Sequence, residues 1–69
     1  MIAQLHNDVR AVRTRHHLSQ SELGDKCGVT RQTIAAIEAG NYSPSVTLAL
    51  TIANVLSTPL TELFWLKET

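Results

Sequence analysis

Four consecutive polar residues, Thr30, Arg31, Gln32 and Thr33, carry side chains suited to recognising a partner through hydrogen bonds. Arg31 has a planar fork of donors that fits O6 and N7 of guanine, and Gln32 can pair with N6 and N7 of adenine. The methyl group of Thr33 can contact thymine, and its hydroxyl group can contact a phosphate. These residue types indicate contact with the edges of base pairs, provided that one helix carries them into a major groove.

A capping box predicts where the helix before these residues begins. Ser19 is followed three positions later by Glu22, so the hydroxyl group and the carboxylate can each accept a hydrogen bond from a free backbone N–H group. This pattern predicts a helix that starts near Gln20. Gly28 follows Cys27 where a helix end favours a residue with positive φ, so the helix should stop there.

A second helix should follow after a tight turn. Thr30 can cap its N-terminus, and Gly40 marks its C-terminus. Ile34 and Ile37 are three residues apart and form its apolar side. Gly24, on the preceding helix, has no side chain where two steeply crossing helices must approach closely. The sequence therefore predicts a helix-turn-helix.

Several segments resemble the DNA-binding domain of the lambda-repressor/Cro family, often called XRE. They are LSQSEL at residues 18–23, GVTRQTI at 28–34 and IEAG at 37–40, with YSPS at 42–45 and LAL at 48–50 also fitting. The short length, TPL at 58–60 and LF at 63–64 resemble the small cytolysin-repressor type, and the match covers nearly every residue. The resemblance implies a mainly α fold: a single five-helix lambda-repressor-like DNA-binding domain over residues 1–69, with its helix-turn-helix at residues 20–40.

The sequence also predicts the helices on either side of the motif. A first helix, capped by Asn7 or Asp8, should run to about His17. Its inner side should hold Val9, Val12, Leu5 and His16. A fourth helix should follow Ser45, and its wide apolar face should consist of Val46, Leu48, Ala49, Ile52, Ala53 and Leu56.

The last helix and the two termini are less clearly marked. Ser57 stands where the family usually has glycine. A short fifth helix, with Thr58 as its cap and Pro59 in its first turn, should contain Leu60, Leu63 and Phe64. Residues 1–5 are expected to be extended or irregular. The resemblance offers a two-stranded β ribbon formed by the termini, with residues 64–67 as the second strand, and such a ribbon must pack on the helices to be stable.

The resemblance and the residue types together assign roles in DNA binding. The base-reading residues are Arg31, Gln32 and Thr33, and the contacts to the DNA backbone are Gln20, Thr30, Asn41, Tyr42 and Ser43. Tyr42 has the alternative of packing on the core. Ala36 replaces a longer polar residue of several family members, which shortens the reading surface.

The resemblance also implies an ion pair between Arg13 and Glu38, the alternative being a solvated Arg13. Leu60, Trp65 and Leu66 are expected at a dimer interface, because a short chain has little room for them once its core is filled. Trp65 has the alternative of covering the base of the core.

The expected activity is that of a repressor that binds a palindromic double-stranded DNA operator as a homodimer and occludes a promoter. The alternative is an antitoxin-like or adaptor module that binds a protein partner through Trp65 and Leu66. Catalytic residues, cofactors and a metal site are not expected, since no nucleophile has a base at a suitable spacing and His16 and His17 point about 100° apart on a helix.

Composition restricts the remaining possibilities. Six basic and six acidic residues give zero net charge, but five of the basic residues lie in the first half of the chain, so one face can still be positive. Cys27 is the only cysteine, which excludes an internal disulfide and favours a small buried side chain. No stretch approaches the roughly 18 apolar residues of a membrane span, and no export signal is evident, so a cytoplasmic location is expected.

Overall fold

The computed structural model describes residues 3–68, which form five helices flanked by two strands. In chain order these elements are β1 (Ala3–Asn7), α1 (Val9–Arg15), α2 (Gln20–Cys27), α3 (Arg31–Glu38), α4 (Val46–Val55), α5 (Leu60–Leu63) and β2 (Phe64–Glu68). The mainly α fold with a ribbon made by the termini is confirmed. Met1 and Ile2, which belong to the segment expected to be extended, lie outside the described residues.

The two strands pair antiparallel, with Ala3 opposite Glu68 and Asn7 opposite Phe64. The ribbon is joined to the helices at its base, because Phe64 is buried and the N–H group of Asp8 donates to the carbonyl of Leu63 over 3.0 Å. Phe64 therefore belongs to β2, as the resemblance implied for residues 64–67, and its predicted place in the fifth helix was wrong. Extended pairing with Asn7 ends the helix after one turn.

The core lies where the helices meet. Its buried residues are Val9, Val12, Leu23, Ile34, Ile37, Ile52, Ala53, Leu56, Leu63 and Phe64. Three residues predicted to face inward do not belong to it. Leu5 lies in β1 opposite Leu66. His16 is exposed because α1 ends at Arg15, and Val46 is exposed because it begins α4 before the helix reaches the core.

The connection from α4 to α5 differs from the predicted caps. The Thr58 hydroxyl group donates to the Leu56 carbonyl over 2.9 Å and does not cap α5, whose N-cap position is held by Pro59. Ser57 adopts φ 49°, the left-handed conformation that glycine takes at many helix ends. The usual turn is therefore kept, at the conformational cost of a non-glycine residue with positive φ.

Helices α2 and α3 approach closely at Gly24. A Cβ atom on this residue would lie 2.8 Å from the carbonyl oxygen of Val29 and 3.2 Å from the carbonyl carbon of Thr30. The carbonyl of Gly24 also accepts a hydrogen bond from the N–H group of Val29 over 2.9 Å. The turn between the helices thus packs against the backbone of α2, which requires a residue without a side chain.

We expect Gly24→Ala to lower the free energy of unfolding. Overpacking of this kind costs about 1–3 kcal/mol, whereas alanine gains at most about 1 kcal/mol over glycine inside a helix. Urea denaturation of both proteins measures the difference. Ser21→Ala, at an exposed position of the same helix, is the matched control and should change stability by less than about 0.5 kcal/mol. An alanine variant as stable as the original protein would contradict the close approach.

Candidate nucleic-acid interface

In the N-terminal half of α3, one side of the helix is buried and the other side is polar. Ile34 and Ile37 are buried, whereas Arg31 and Gln32 are exposed and Thr33 is partly buried. The side chains predicted to read bases therefore project from the outer face of the first turn. This turn can enter a groove without disturbing the core.

Thr30 fixes the start of α3. Its hydroxyl oxygen accepts a hydrogen bond from the N–H group of Thr33 over 3.3 Å, and the two threonine hydroxyl groups lie 3.2 Å apart. The hydroxyl group of Thr33 thus lies close to that of the capping residue Thr30. The methyl group of Thr33 remains available for contact with a base. Thr30 combines a structural role with its predicted place at the DNA backbone.

The start of α2 carries a complete capping box. The N–H group of Glu22 donates to Oγ of Ser19 over 3.0 Å, and the N–H group of Ser19 donates to Oε1 of Glu22 over 2.9 Å. These hydrogen bonds lower the pKa of Glu22 from its ordinary value of 4.5. The amides of Gln20 and Ser21, at the first two positions of the helix, have no intrahelical partner and can meet an anion.

Arg13 and Glu38 form the ion pair that the resemblance implies. Nε of Arg13 lies 2.6 Å from Oε2 of Glu38, and Nη2 donates to Oε1 over 3.1 Å. These hydrogen bonds raise the pKa of Arg13 despite its partial burial. Nη1 of Arg13 donates to the Leu18 carbonyl over 2.8 Å, and Nε2 of Gln20 donates to Oε1 of Glu38 over 3.1 Å. The network brings α1, the start of α2 and the end of α3 together.

The three residues expected to meet the DNA backbone after α3 are exposed. Asn41, Tyr42 and Ser43 follow the end of the helix, where the N–H group of Asn41 donates to the carbonyl of Ala36 over 2.9 Å. Tyr42 does not pack fully on the core, since it is 50% exposed. These residues begin three positions after Glu38, which contacts Gln20, so Gln20 and these three residues lie near the end of α3. Thr30, the remaining predicted backbone contact, lies at the start of the helix.

The predicted dimer residues lie on other elements, Leu60 in α5 and both Trp65 and Leu66 in β2. Leu60, in α5, packs partly against the core. Trp65 and Leu66 are neighbours in β2, so their side chains point to opposite faces of the ribbon. The Trp65 ring stacks on His6 with 6.4 Å between centroids, and Leu66 is 70% exposed.

Asn7 binds the first turn of α1, as expected of a cap, and also makes a contact that the sequence did not reveal; Asp8 holds the N-cap position but makes no side-chain cap hydrogen bond. Its Nδ2 donates to the carbonyl of Ile37 over 2.9 Å, and its Oδ1 accepts from the N–H group of Val9 over 3.1 Å. One side chain thus links the last turn of α3 to the first turn of α1. The partners are 30 residues apart, so only the resemblance of the whole chain to a known fold could have suggested the contact.

Two other features are absent from residues 3–68. No group of three or more His, Cys, Asp or Glu residues there could hold a metal ion, and no helix there is long and apolar enough to cross a membrane. Cys27 is partly buried, and this burial raises the pKa of its thiol. The thiolate is therefore disfavoured at neutral pH.

Two helices that cross at a tight turn, the second of which exposes arginine and glutamine at its start, define a helix-turn-helix domain with a surface suited to double-stranded DNA. The comparisons with known proteins agree. The helix-turn-helix family model matches residues 9–63. The chain is similar to the uncharacterized HTH-type transcriptional regulator YgzD of Bacillus subtilis, with 50% identity over 62 residues, which cover 90% of this chain and 94% of that protein.

Two archaeal proteins are also similar. An uncharacterized HTH-type transcriptional regulator of Methanocaldococcus jannaschii is 43% identical over 58 residues, which cover 84% of this chain and 88% of that protein. One of Archaeoglobus fulgidus is 41% identical over 56 residues, which cover 81% of this chain and 80% of that protein. The chain belongs to the XRE family of helix-turn-helix DNA-binding transcriptional regulators.

The capping box predicts a specific acid sensitivity. Because the folded protein lowers the pKa of Glu22, its carboxylate contributes stability that is present above about pH 4.5 and is lost as the pH falls through the lowered value. As the pH is lowered from 5 to about 3, the melting temperature of Glu22→Gln should therefore fall less than that of the original protein. Thermal melts of both proteins across this range measure the difference, and parallel profiles would contradict it.

Proposed function

We propose that this regulator is a repressor that binds a palindromic operator as a homodimer. The observation that carries the proposal is the first turn of α3, where Arg31 and Gln32 are exposed on the side opposite the buried Ile34 and Ile37. In this function the turn enters the major groove, and the protein occludes a promoter that overlaps the operator.

The contacts divide into those that specify sequence and those that position the protein. Arg31 reads guanine, Gln32 reads adenine, and Thr33 contacts a thymine methyl group. Gln20 and Thr30 meet phosphates at the starts of α2 and α3, and Asn41, Tyr42 and Ser43 meet the DNA backbone beyond the end of α3.

Two copies are needed because one helix-turn-helix covers only a few base pairs. Two-fold symmetry would place the two α3 helices about 34 Å apart, one turn of DNA. The dimer interface is proposed to include Leu60, Trp65 and Leu66. The support for this choice is the exposure of Leu66, an apolar side chain that its own chain leaves 70% uncovered.

The same exposed apolar side chain favours one other function, an antitoxin-like or adaptor role in which β2 binds a protein partner. The two functions differ in what α3 does. A purely protein-binding module has no use for exposed Arg31 and Gln32, so selection of a DNA sequence separates the two.

Arg31→Ala should weaken binding to the operator more than binding to random DNA. Selection from random duplexes first defines the operator, and the dissociation constants of both proteins are then measured on the selected duplex and on a scrambled duplex at one salt concentration. Loss of one bidentate base contact corresponds to roughly 1–3 kcal/mol per half-site, or about 5- to 150-fold.

Arg10→Ala removes the same charge from an exposed position on α1 and serves as the matched control. Its effect on the two duplexes should be equal. Gln20→Ala should likewise weaken binding to both duplexes together. Equal losses on both duplexes for Arg31→Ala would remove Arg31 from the base-reading residues, and failure to select any palindrome would favour the adaptor function.

Leu66→Ser should convert the homodimer to a monomer. A change at Leu66 tests the interface more specifically than a change at Trp65. Trp65 also stacks on His6 within its own chain, so Trp65→Ala should lower thermal stability as well. Sedimentation velocity at micromolar concentration measures the change. Val46→Ser is the matched control, since Val46 is an apolar residue of α4 that is 75% exposed. A monomeric Val46→Ser and a dimeric Leu66→Ser would place the interface on α4 instead.

A further inference from the structure

The carboxylate of Glu38 lies at the end of α3, and its side chain is only 5% exposed. It accepts three hydrogen bonds: from Nε of Arg13 over 2.6 Å, from Nη2 of Arg13 over 3.1 Å and from Nε2 of Gln20 over 3.1 Å. Two of these donors belong to the ion pair. The third belongs to a residue that the proposed function places against a DNA phosphate.

The contact with Glu38 determines which way the Gln20 amide faces. An ionised carboxylate is only an acceptor, so Nε2 of Gln20 must point towards it and Oε1 must point away. Nε2 carries two hydrogens, and one of them remains after the bond to Glu38 is made. Gln20 is also the first residue of α2, whose first amides have no intrahelical partner, so a phosphate at the start of this helix can accept from those amides and from the remaining hydrogen of Nε2.

Arg13 makes this arrangement compatible with a nearby phosphate. An unpaired carboxylate beside the DNA backbone would repel it, but the charge of Glu38 is balanced by a guanidinium group that contacts both carboxylate oxygens. Arg13 also donates to the Leu18 carbonyl, immediately before the cap of α2. The carboxylate is thereby held in a fixed place relative to Gln20.

We infer that Glu38 is a positioning residue for DNA binding: it holds the Gln20 amide ready to donate to a phosphate at the start of α2. This role rests on the proposed function. It lowers the cost of binding because the long side chain of Gln20 is ordered before DNA arrives. Glu38 does not touch the DNA itself.

A double-mutant cycle on DNA affinity tests this role. Glu38→Gln should raise the dissociation constant about three- to tenfold, the range expected for losing the order of one side chain. In the Gln20→Ala background the same change should raise it less than twofold. Simple electrostatics predicts the opposite sign, because removing a negative charge favours binding to DNA. Glu62→Gln, the same charge change at an exposed position of α5, is the control for that effect.

A second pair of variants separates positioning from folding. Glu38→Gln leaves Arg13 without a charged partner and can destabilise the protein. Arg13→Met combined with Glu38→Met keeps the net charge and a similar volume, and apolar replacements of a buried ion pair are often tolerated. This double variant should also lose three- to tenfold in affinity with Gln20 present and less than twofold in the Gln20→Ala background. All measurements use a temperature at which thermal melts show every variant to be folded.

The NMR resonances of the Gln20 side-chain amide report on its contact with Glu38, and a change in stability alone does not alter them. In the free protein, one Nε2 proton should exchange slowly with solvent, and in folded Glu38→Gln this protection should be lost. Two results would overturn the role of Glu38 but leave the proposed function standing. One is an equal effect of the Glu38 variants with Gln20 and with Gln20→Ala, and the other is binding by Glu38→Gln that is as tight as that of the original protein or tighter. Failure of the original protein to select any duplex would overturn the proposed function and this inference with it.

Discussion

Burial of the Glu38 carboxylate is the constraint on which the arrangement of the first three helices depends. A buried charge that loses its partner costs roughly 3–5 kcal/mol, which is comparable to the whole stability of a small domain. Arg13 must therefore stay beside the end of α3, and its bond to Leu18 fixes the connection into α2. Replacing a buried ion pair by apolar residues of similar volume is often neutral for stability, so the presence of the pair is by itself weak evidence for a gain in stability.

Helix α3 is held at both ends by contacts to other elements. At its start, the turn containing Val29 packs on Gly24, and at its end Asn7 and Arg13 bind Ile37 and Glu38. Its exposed first turn is thus presented by a fixed frame. A frame that does not rearrange on binding loses little conformational entropy, so more of the contact energy remains for recognition.

Local sequence patterns predicted several features that depend on neighbouring residues, although not the start of α5, and missed those that depend on distant ones. The Ser19 cap and the left-handed Gly28 involve residues at most four positions apart, and both are present. Asn7 binds a carbonyl 30 residues away, and no local pattern marks it. Phe64 is strand and not helix because of its pairing with Asn7 across the whole chain. The β ribbon itself could be predicted only from the resemblance to a known family.

Because α3 has few residues that can read bases, the specificity of the proposed complex depends on how many copies of the protein bind the DNA. Ala36 has no polar side-chain atom, so Arg31 and Gln32 supply most of the base recognition in the proposed complex. Two good pairs give roughly 2–6 kcal/mol of discrimination, and two half-sites give about 4–12 kcal/mol, which spans the range known for specific DNA binding. A single copy reaches only the lower part of that range. In the proposed homodimer, separation of the two copies therefore lowers specificity.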